Sequence, residues 1–431
     1  MKQFFQFSDR QTAYRQEFLA GITTFLSMAY ILVVNPIVLS EAGMDKGAVF
    51  TATAVSAIIG TLLIGILANY PIGIAPSMGL NSFFTYSVVI GMGIPWQTAL
   101  TGVFISGVLF VLLSIFKIRE KIIEVIPQDL KYAIGSGIGF FIAFIGLKNS
   151  GIVVANPATF VSLGNIQSGP TLLAVVGFII TVILMVKNVR GAIFYGMVIT
   201  SILGMFFGII EKPKAIIGGI PSLEPTFGVV FMQLGDIFSI ELVAVVFTFL
   251  FVAFFDTAGT LIAIANQAGL VKDNKIPKAG RALLADASAS VAGSVLGTST
   301  TASFIESSAG IAAGGRTGFT SVVISGMFAI ALFFSPLLSI VTSEVTAPAL
   351  IIVGTLMASE VRHIKWERFE IAIPAFVTII MMPLTYGVAT GIGLGFIMYP
   401  ITMIAMKKQK EISPIVYVLA LIFIAYFAFV I

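Results

Sequence analysis

From Glu17 to Ile431 the chain passes through one apolar stretch after another, with no break long enough to hold a soluble domain. A helix needs about 20 mostly apolar residues to cross a bilayer. Hydrocarbon offers the backbone no water, so a spanning segment must be a helix or part of a closed barrel. The segments here have helical length. With 58% hydrophobic residues, only 10% charged ones and a mean hydropathy of +1.06, the composition lies outside the soluble range. The chain reads as an all-α polytopic membrane protein.

The opening residues MKQFFQFSDRQTAYRQEFLAG have neither the short apolar core nor the cleavage site of a secretory signal, so the first span is expected to remain in the mature protein. Cysteine is absent and His363 is the only histidine, which leaves no material for a Cys or His metal site or a His-based catalytic centre. No metal and no cofactor is expected.

Spans can be placed at roughly 17–38, 47–68, 77–92, 97–116, 131–149, 170–187 and 191–210, then at roughly 238–268, 280–296, 303–313, 317–341, 346–360, 369–386 and 388–406. With a cytoplasmic N-terminus, twenty of the 24 Lys and Arg residues fall on inside loops. Only Lys46, Lys148, Lys212 and Lys214 lie outside. That asymmetry supports both the span count and the orientation, a multi-pass protein of the plasma (inner) membrane. The basic charge faces anionic lipid, so the bilayer and not nucleic acid is the expected partner.

The fourteen spans divide into halves. TTFLSMAYI at Thr23 resembles FTFLFVAFF at Phe247, ATAVSAIIGTLL at Ala52 resembles ADASASVAGSVL at Ala285, and VFISGVLFVLLS at Val103 resembles VVISGMFAIALF at Val322. The matches keep their order at offsets of 224, 233 and 219. Seven spans per half force the second half into the membrane from the opposite side, the inverted construction of many secondary transporters. The reading is a first repeat over 1–215, a second over 237–410, and an extra hydrophobic segment over 411–431, which is either a fifteenth span or an interfacial helix.

Two segments do not suit continuous helices. NYPIGIAPSMGLNSFF, from Asn69, carries Pro71, Gly73, Pro76 and Gly79, so an extended stretch over about 71–75 and a half-length helix from near Ser77 are expected. GTSTTASFIESSAG, from Gly297, is half Ser and Thr, seven residues in fourteen, and allows only a half helix before Gly314 and Gly315. Extended backbone at membrane depth must be buried in protein or line a cavity. The two strands are expected to pair, the half helices to aim their N-termini at one point, and the hydroxyls to cap the interrupted helices and answer loose backbone groups.

Glu306 in the second of these segments and Asp256 in TFLFVAFFDTAGTL put carboxyls within spans, where ionisable residues mark substrate or ion pathways. Thr260 lies one turn beyond Asp256 on the same face. Asp286 stands near Lys278 and Arg281, so a structural role is as good a reading of it. Carboxylates near helix N-termini suit protons, cations or neutral molecules rich in N–H groups; heterocycles give paired hydrogen bonds to such a group and stack on Phe254, Phe255 or Phe304.

PIGIAPSMGLNSFF, FFDTAGTL and LGTSTTASFIESSAGIAAGGRTG resemble the signature segments of the hypoxanthine/guanine (azaguanine-type) permeases, a branch of the xanthine/uracil nucleobase transporters. The likeness spans essentially the whole chain. It implies fourteen core segments in two inverted seven-helix repeats, split into core and gate domains, and proton-coupled uptake of purine bases. By the same resemblance Asn81, Asp256 and Glu306 are the key positions; Asp in place of the Glu of the uracil and xanthine branches favours purines.

The expected mechanism has Glu306 accepting purine N–H groups while the backbone around Ser303, Phe304 and Ile305 and around Gly79 and Leu80 completes a polar frame. Asp256 is the foremost proton carrier, with Glu306 the second coupling acid, and Asn81 ties the half helices together. The expected partners are a purine base, a proton and lipid, with a homodimer as the oligomer to consider. Alternatives are another nucleobase, xanthine or uracil, or sodium coupling. A membrane enzyme lacks its catalytic groups, and paired broken helices disfavour a channel.

Overall fold

The computed structural model describes residues 2–116, 126–236, 242–243, 245–254, 264, 268 and 277–429. Among them eight helices are long and apolar enough to cross a membrane, and four shorter apolar helices accompany them. In chain order the helices are α1 (Tyr14–Met28), α2 (Ile31–Glu41), α3 (Lys46–Leu67), α4 (Met78–Ser82), α5 (Trp96–Ile115), α6 (Gln128–Asn149), α7 (Gly169–Val186) and α8 (Ala192–Phe206). Next come α9 (Val245–Phe254) and then α10 (Ala279–Leu296), α11 (Ser307–Ala312), α12 (Gly318–Ala331), α13 (Ser343–Ala358), α14 (Phe369–Leu384), α15 (Val388–Ala405) and α16 (Pro414–Phe429).

The helices pack as two groups. In one, α3 lies against α10 and α12, α1 against α12 and α11, and α5 against α10; in the other, α6 lies against α13 and α14, and α15 against α14. Without a hydrophobic drive between helices in lipid, close packing supplies the cohesion, and small residues permit it. A Cβ on Gly354 would come within 2.5 Å of the Gly139 carbonyl oxygen, so the α6–α13 crossing depends on both glycines.

The segment read as one span at 17–38 is kinked. It breaks at Ala29–Tyr30 between α1 and α2, and Pro36 removes a donor from the helix beyond. The C-terminal segment is a helix packed along α15, where Phe423 stacks on Phe396 with ring centroids 6.1 Å apart. A hairpin of β2 (Val153–Asn156) and β3 (Phe160–Leu163), which the sequence reading did not anticipate, joins α6 to α7.

The two irregular segments meet as expected. β1 (Ile74–Pro76) pairs antiparallel with β4 (Thr301–Ser303), Ala75 opposite Ala302. Flanking bonds extend the ribbon: the Ser77 N–H donates to Thr300 at 2.9 Å, and the Phe304 N–H to Gly73 at 2.9 Å. Gly297 sets up the second strand. It ends α10 in the left-handed region at φ +103°, with the Thr298 N–H closing onto the Gly293 carbonyl, and a Cβ there would strike Thr226.

Candidate functional site

A two-stranded ribbon has two outer edges, and inside a membrane protein each edge needs partners. Hydroxyls of neighbouring helices supply them. The Thr61 hydroxyl on α3 accepts from the Ile74 N–H at 2.9 Å and donates to the Ile74 carbonyl at 3.0 Å. Ser321 on α12 accepts from Ile72 N–H and bonds the Ile72 and Tyr70 carbonyls, Ser307 accepts from Gly73 N–H, and Ser290 on α10 donates to the Thr301 carbonyl. This corrects the capping part of the expectation: in neither short helix does the side chain of the N-cap residue, Ser77 or Glu306, accept a capping bond from a helix N–H. The hydroxyls that matter for the backbone stand mostly on other helices.

β1 runs into α4, whose helical path continues with π-type pairing over Phe83–Gly91. The half helix thus begins at Met78, as the proline and glycine pattern requires. Among the described residues no acceptor meets the N–H groups of Met78, Gly79 and Leu80, the free donors of a helix start. Gly79 is needed there, because a Cβ would stand 2.7 Å from Ile138 on α6. After β4 the chain turns through Phe304–Glu306 into α11. Here the expected frame is corrected: the Phe304 N–H is taken by Gly73 and is not available to a ligand, while the Ile305 N–H has no acceptor among the described residues.

Glu306 is half-buried, and Tyr30, at the kink of the first span, donates its hydroxyl proton to Glu306 Oε1 at 2.6 Å. No other side chain among the described residues reaches that carboxylate, and no Lys or Arg pairs with it. Glu17 shows how this protein treats an acid used only for structure. It is fully buried and accepts from Thr12, from the Arg316 and Thr317 N–H groups and from the Thr320 hydroxyl at the start of α12. Glu17 is saturated; Glu306 keeps capacity for a ligand.

Asn81 is fully buried, and its amine donates to Asn35 Oδ1 at 2.5 Å. Asn35 in turn donates to Thr53 at 2.7 Å and to Thr298, just ahead of β4, at 2.9 Å. Asn81 is thus linked through Asn35 to Thr298, ahead of β4; among the described residues no bond runs from Asn81 to α11, so the expected direct tie between the half helices is not seen. Asn81 Oδ1, Ser299 Oγ, Thr300 Oγ1 and Ser303 Oγ are buried with no partner among the described residues.

Phe304 is buried beside Tyr30, ring centroids 6.4 Å apart, and Phe254 stacks on Phe110 at 6.5 Å. Asp256, Thr260 and Phe255 lie outside the described residues. Asp286 is buried on α10, where the Ser290 hydroxyl reaches its carbonyl. Tyr30 and Asn35 were missed in the sequence because they sit in a span that reads as unbroken; the Asn–Pro pair at 35–36 was the one available signal.

The chain matches the Permease family model Xan_ur_permease over residues 15–429. It belongs to the xanthine/uracil permease family. Among the curated members, guanine/hypoxanthine permease PbuG of Bacillus subtilis is 59% identical over 100% of both chains. Adenine permease AdeP of Escherichia coli is 41% identical, covering 100% of this chain and 96% of its own. Solved structures show where this permease-family chain stands in fold space. The transmembrane domain of the cyanobacterial bicarbonate transporter BicA superposes with a TM-score of 0.61 at 16% identity, covering 91% of this chain and 96% of that one. The murine anion transporter Slc26a9 in its inward-facing state gives 0.63 at 11% identity, covering 91% and 69%. At such identities the likeness to these two is one of fold alone.

Proposed function

We propose that this chain imports purine nucleobases, hypoxanthine and guanine foremost and adenine as a further candidate, by proton symport across the plasma membrane. The observation that carries the reading is Glu306: a half-buried carboxylate with one oxygen held by Tyr30 and, among the described residues, no cation beside it, near a ribbon with polar atoms that have no partner among those residues. Such a pocket suits a neutral ligand rich in N–H groups and repels anions, which separates it from the anion transporters that share the fold. Relatives named as guanine/hypoxanthine and adenine permeases support the purine class.

In this reading the molecule is two inverted seven-segment repeats, 1–215 and 237–410, forming a core and a gate, with 411–431 added. The antiparallel pairing of β1 with β4, one from each half, supports the inversion, as do the two packed helix groups. The charge asymmetry of the loops supports a cytoplasmic N-terminus. Glu306 accepts base N–H groups, the N–H groups of Gly79, Leu80 and Ile305, which have no acceptor among the described residues, answer ring carbonyls, and Ser303 and Asn81 complete the frame. Asp256, one turn before Thr260 in the sequence, takes the proton, as an ionisable residue within a span marks an ion pathway. Binding of the proton neutralises the site so that base and proton cross together.

The test is uptake of labelled hypoxanthine in a host lacking its own purine carriers, competed with guanine, adenine, xanthine and uracil at two pH values. Competition by purines alone, with uptake rising as external pH falls, is expected; inhibition by uracil but not guanine overturns the purine assignment. Replacing sodium by choline should leave uptake unchanged.

A further inference from the structure

We propose that Asn35 is a specificity-setting positioning residue: it holds the Asn81 amide so that the carbonyl, and not the amine, is offered to the substrate. The proposal rests on the reading above of the ribbon as the base site, and adds the polarity of one of its contacts.

The argument is a chain of proton assignments that starts at Thr53. Its hydroxyl donates to the Val49 carbonyl at 2.6 Å, one turn back on α3, so its oxygen can only accept from elsewhere. The group facing it on Asn35 must therefore be the amine, 2.7 Å away, and the second proton of that amine reaches Thr298 at 2.9 Å. With its amine turned to the two threonines, Asn35 presents its carbonyl on the opposite side. Asn81 meets that carbonyl and must present its own amine to it. Asn81 Oδ1 is left over, on a fully buried residue, with no donor among the described residues.

A helix hydroxyl bond thus dictates, two residues away, that Asn81 is an acceptor. Together with the open oxygen of Glu306 it makes a site that asks the ligand for N–H groups at two places. If the Asn35 amide were reversed, Asn81 would turn its amine outward and the site would select a ring carbonyl or an unprotonated ring nitrogen there instead. Asn35 touches no substrate in this arrangement. It sets which tautomer and which substitution pattern of a heterocycle the site accepts.

The experiment is equilibrium binding of labelled hypoxanthine to the purified full chain, competed with 1-, 7- and 9-methylhypoxanthine, in the wild type and in Asn35→Leu, Asn35→Asp and Asn81→Leu. The wild type should reject at least one N-methyl analogue by about a hundredfold, since a missing donor leaves a buried acceptor unpaired. In Asn35→Leu and Asn81→Leu the penalty for that same analogue should fall below about tenfold, whereas Asn35→Asp, which still accepts from the Asn81 amine, should keep it. Unchanged discrimination in Asn35→Leu overturns the proposal. If that variant does not fold by size exclusion, Asn35→Asp binding hypoxanthine without discrimination overturns it, and so does a wild type that binds hypoxanthine but tolerates every methyl group. A wild type that binds uracil and not hypoxanthine refutes the purine reading alone, and N-methyluracils then replace the panel. Binding of neither base refutes both.

Discussion

The two broken crossings share a plan, a three-residue strand followed by a short helix, but they bury different chemistry. The first, Ile74–Pro76 into Met78–Ser82, places an amide, Asn81, in full burial and continues helically to Gly91. The second, Thr301–Ser303 into Ser307–Ala312, places a carboxylate, Glu306, only half-buried, and ends within two residues of Gly314. The difference follows from desolvation. A neutral amide costs less to enclose, even with only its amine satisfied, by Asn35, whereas a lone ionised acid in dry surroundings costs far more unless paired. Glu17 reaches full burial because four donors meet it. Among the described residues one side chain, Tyr30, meets Glu306, and Glu306 stays only half-buried.

If the acid is the ligand's main acceptor and the amide its guide, Glu306→Gln should lower hypoxanthine uptake by about a thousandfold with folded protein unchanged, since a charge-assisted bond is lost at a preorganised site. Proteoliposome uptake measures it, and retained transport would remove the distinction between the two crossings. Thr61→Val takes partners from both the N–H and the carbonyl of Ile74, on the strand of the first crossing, and should destabilise the protein by about 1–2 kcal/mol. A thermal-shift assay in detergent reads that loss, and an unchanged melting temperature would mean the ribbon edge is satisfied otherwise. Asn81→Leu should weaken binding by about tenfold without abolishing transport, the cost of one neutral hydrogen bond. A loss as large as that of Glu306→Gln would erase the proposed division of roles. Smallest is Tyr30→Phe, which frees the second Glu306 oxygen and should change the KM for hypoxanthine by about threefold to fivefold with Vmax kept. A fall in Vmax at constant KM would instead assign Tyr30 to the movement of the core.

The ribbon was legible before any coordinates, because local rules forbid the alternatives. Pro71 and Pro76, five residues apart with Gly73 between them, disfavour a continuous helix, and a run of hydroxyl residues after Gly297 has no helical periodicity. Membership of the nucleobase transporter family was legible for the same reason, since its motifs are those irregular segments. Tyr30 and Asn35 were not, because their partners lie 276 and 46 residues away and nothing in an apolar run says which residue a kink turns inward. The purpose of the hydroxyls was misread in part: capping is a local rule, whereas the edges of β1 and β4 are met by Thr61, Ser321 and Ser290 across helix contacts.

Hydropathy and backbone chemistry by themselves determined that this protein crosses a membrane many times, and that two crossings are broken at places known to within a few residues. Both follow from what each peptide group can do where there is no water. The tertiary structure alone decided which side chains answer the broken backbone and which acid is saturated and which open. It also decided that the Asn81 carbonyl is left for a visitor. A hydrogen bond depends on the position of two groups within a few tenths of an ångström, and only packing brings distant residues that close.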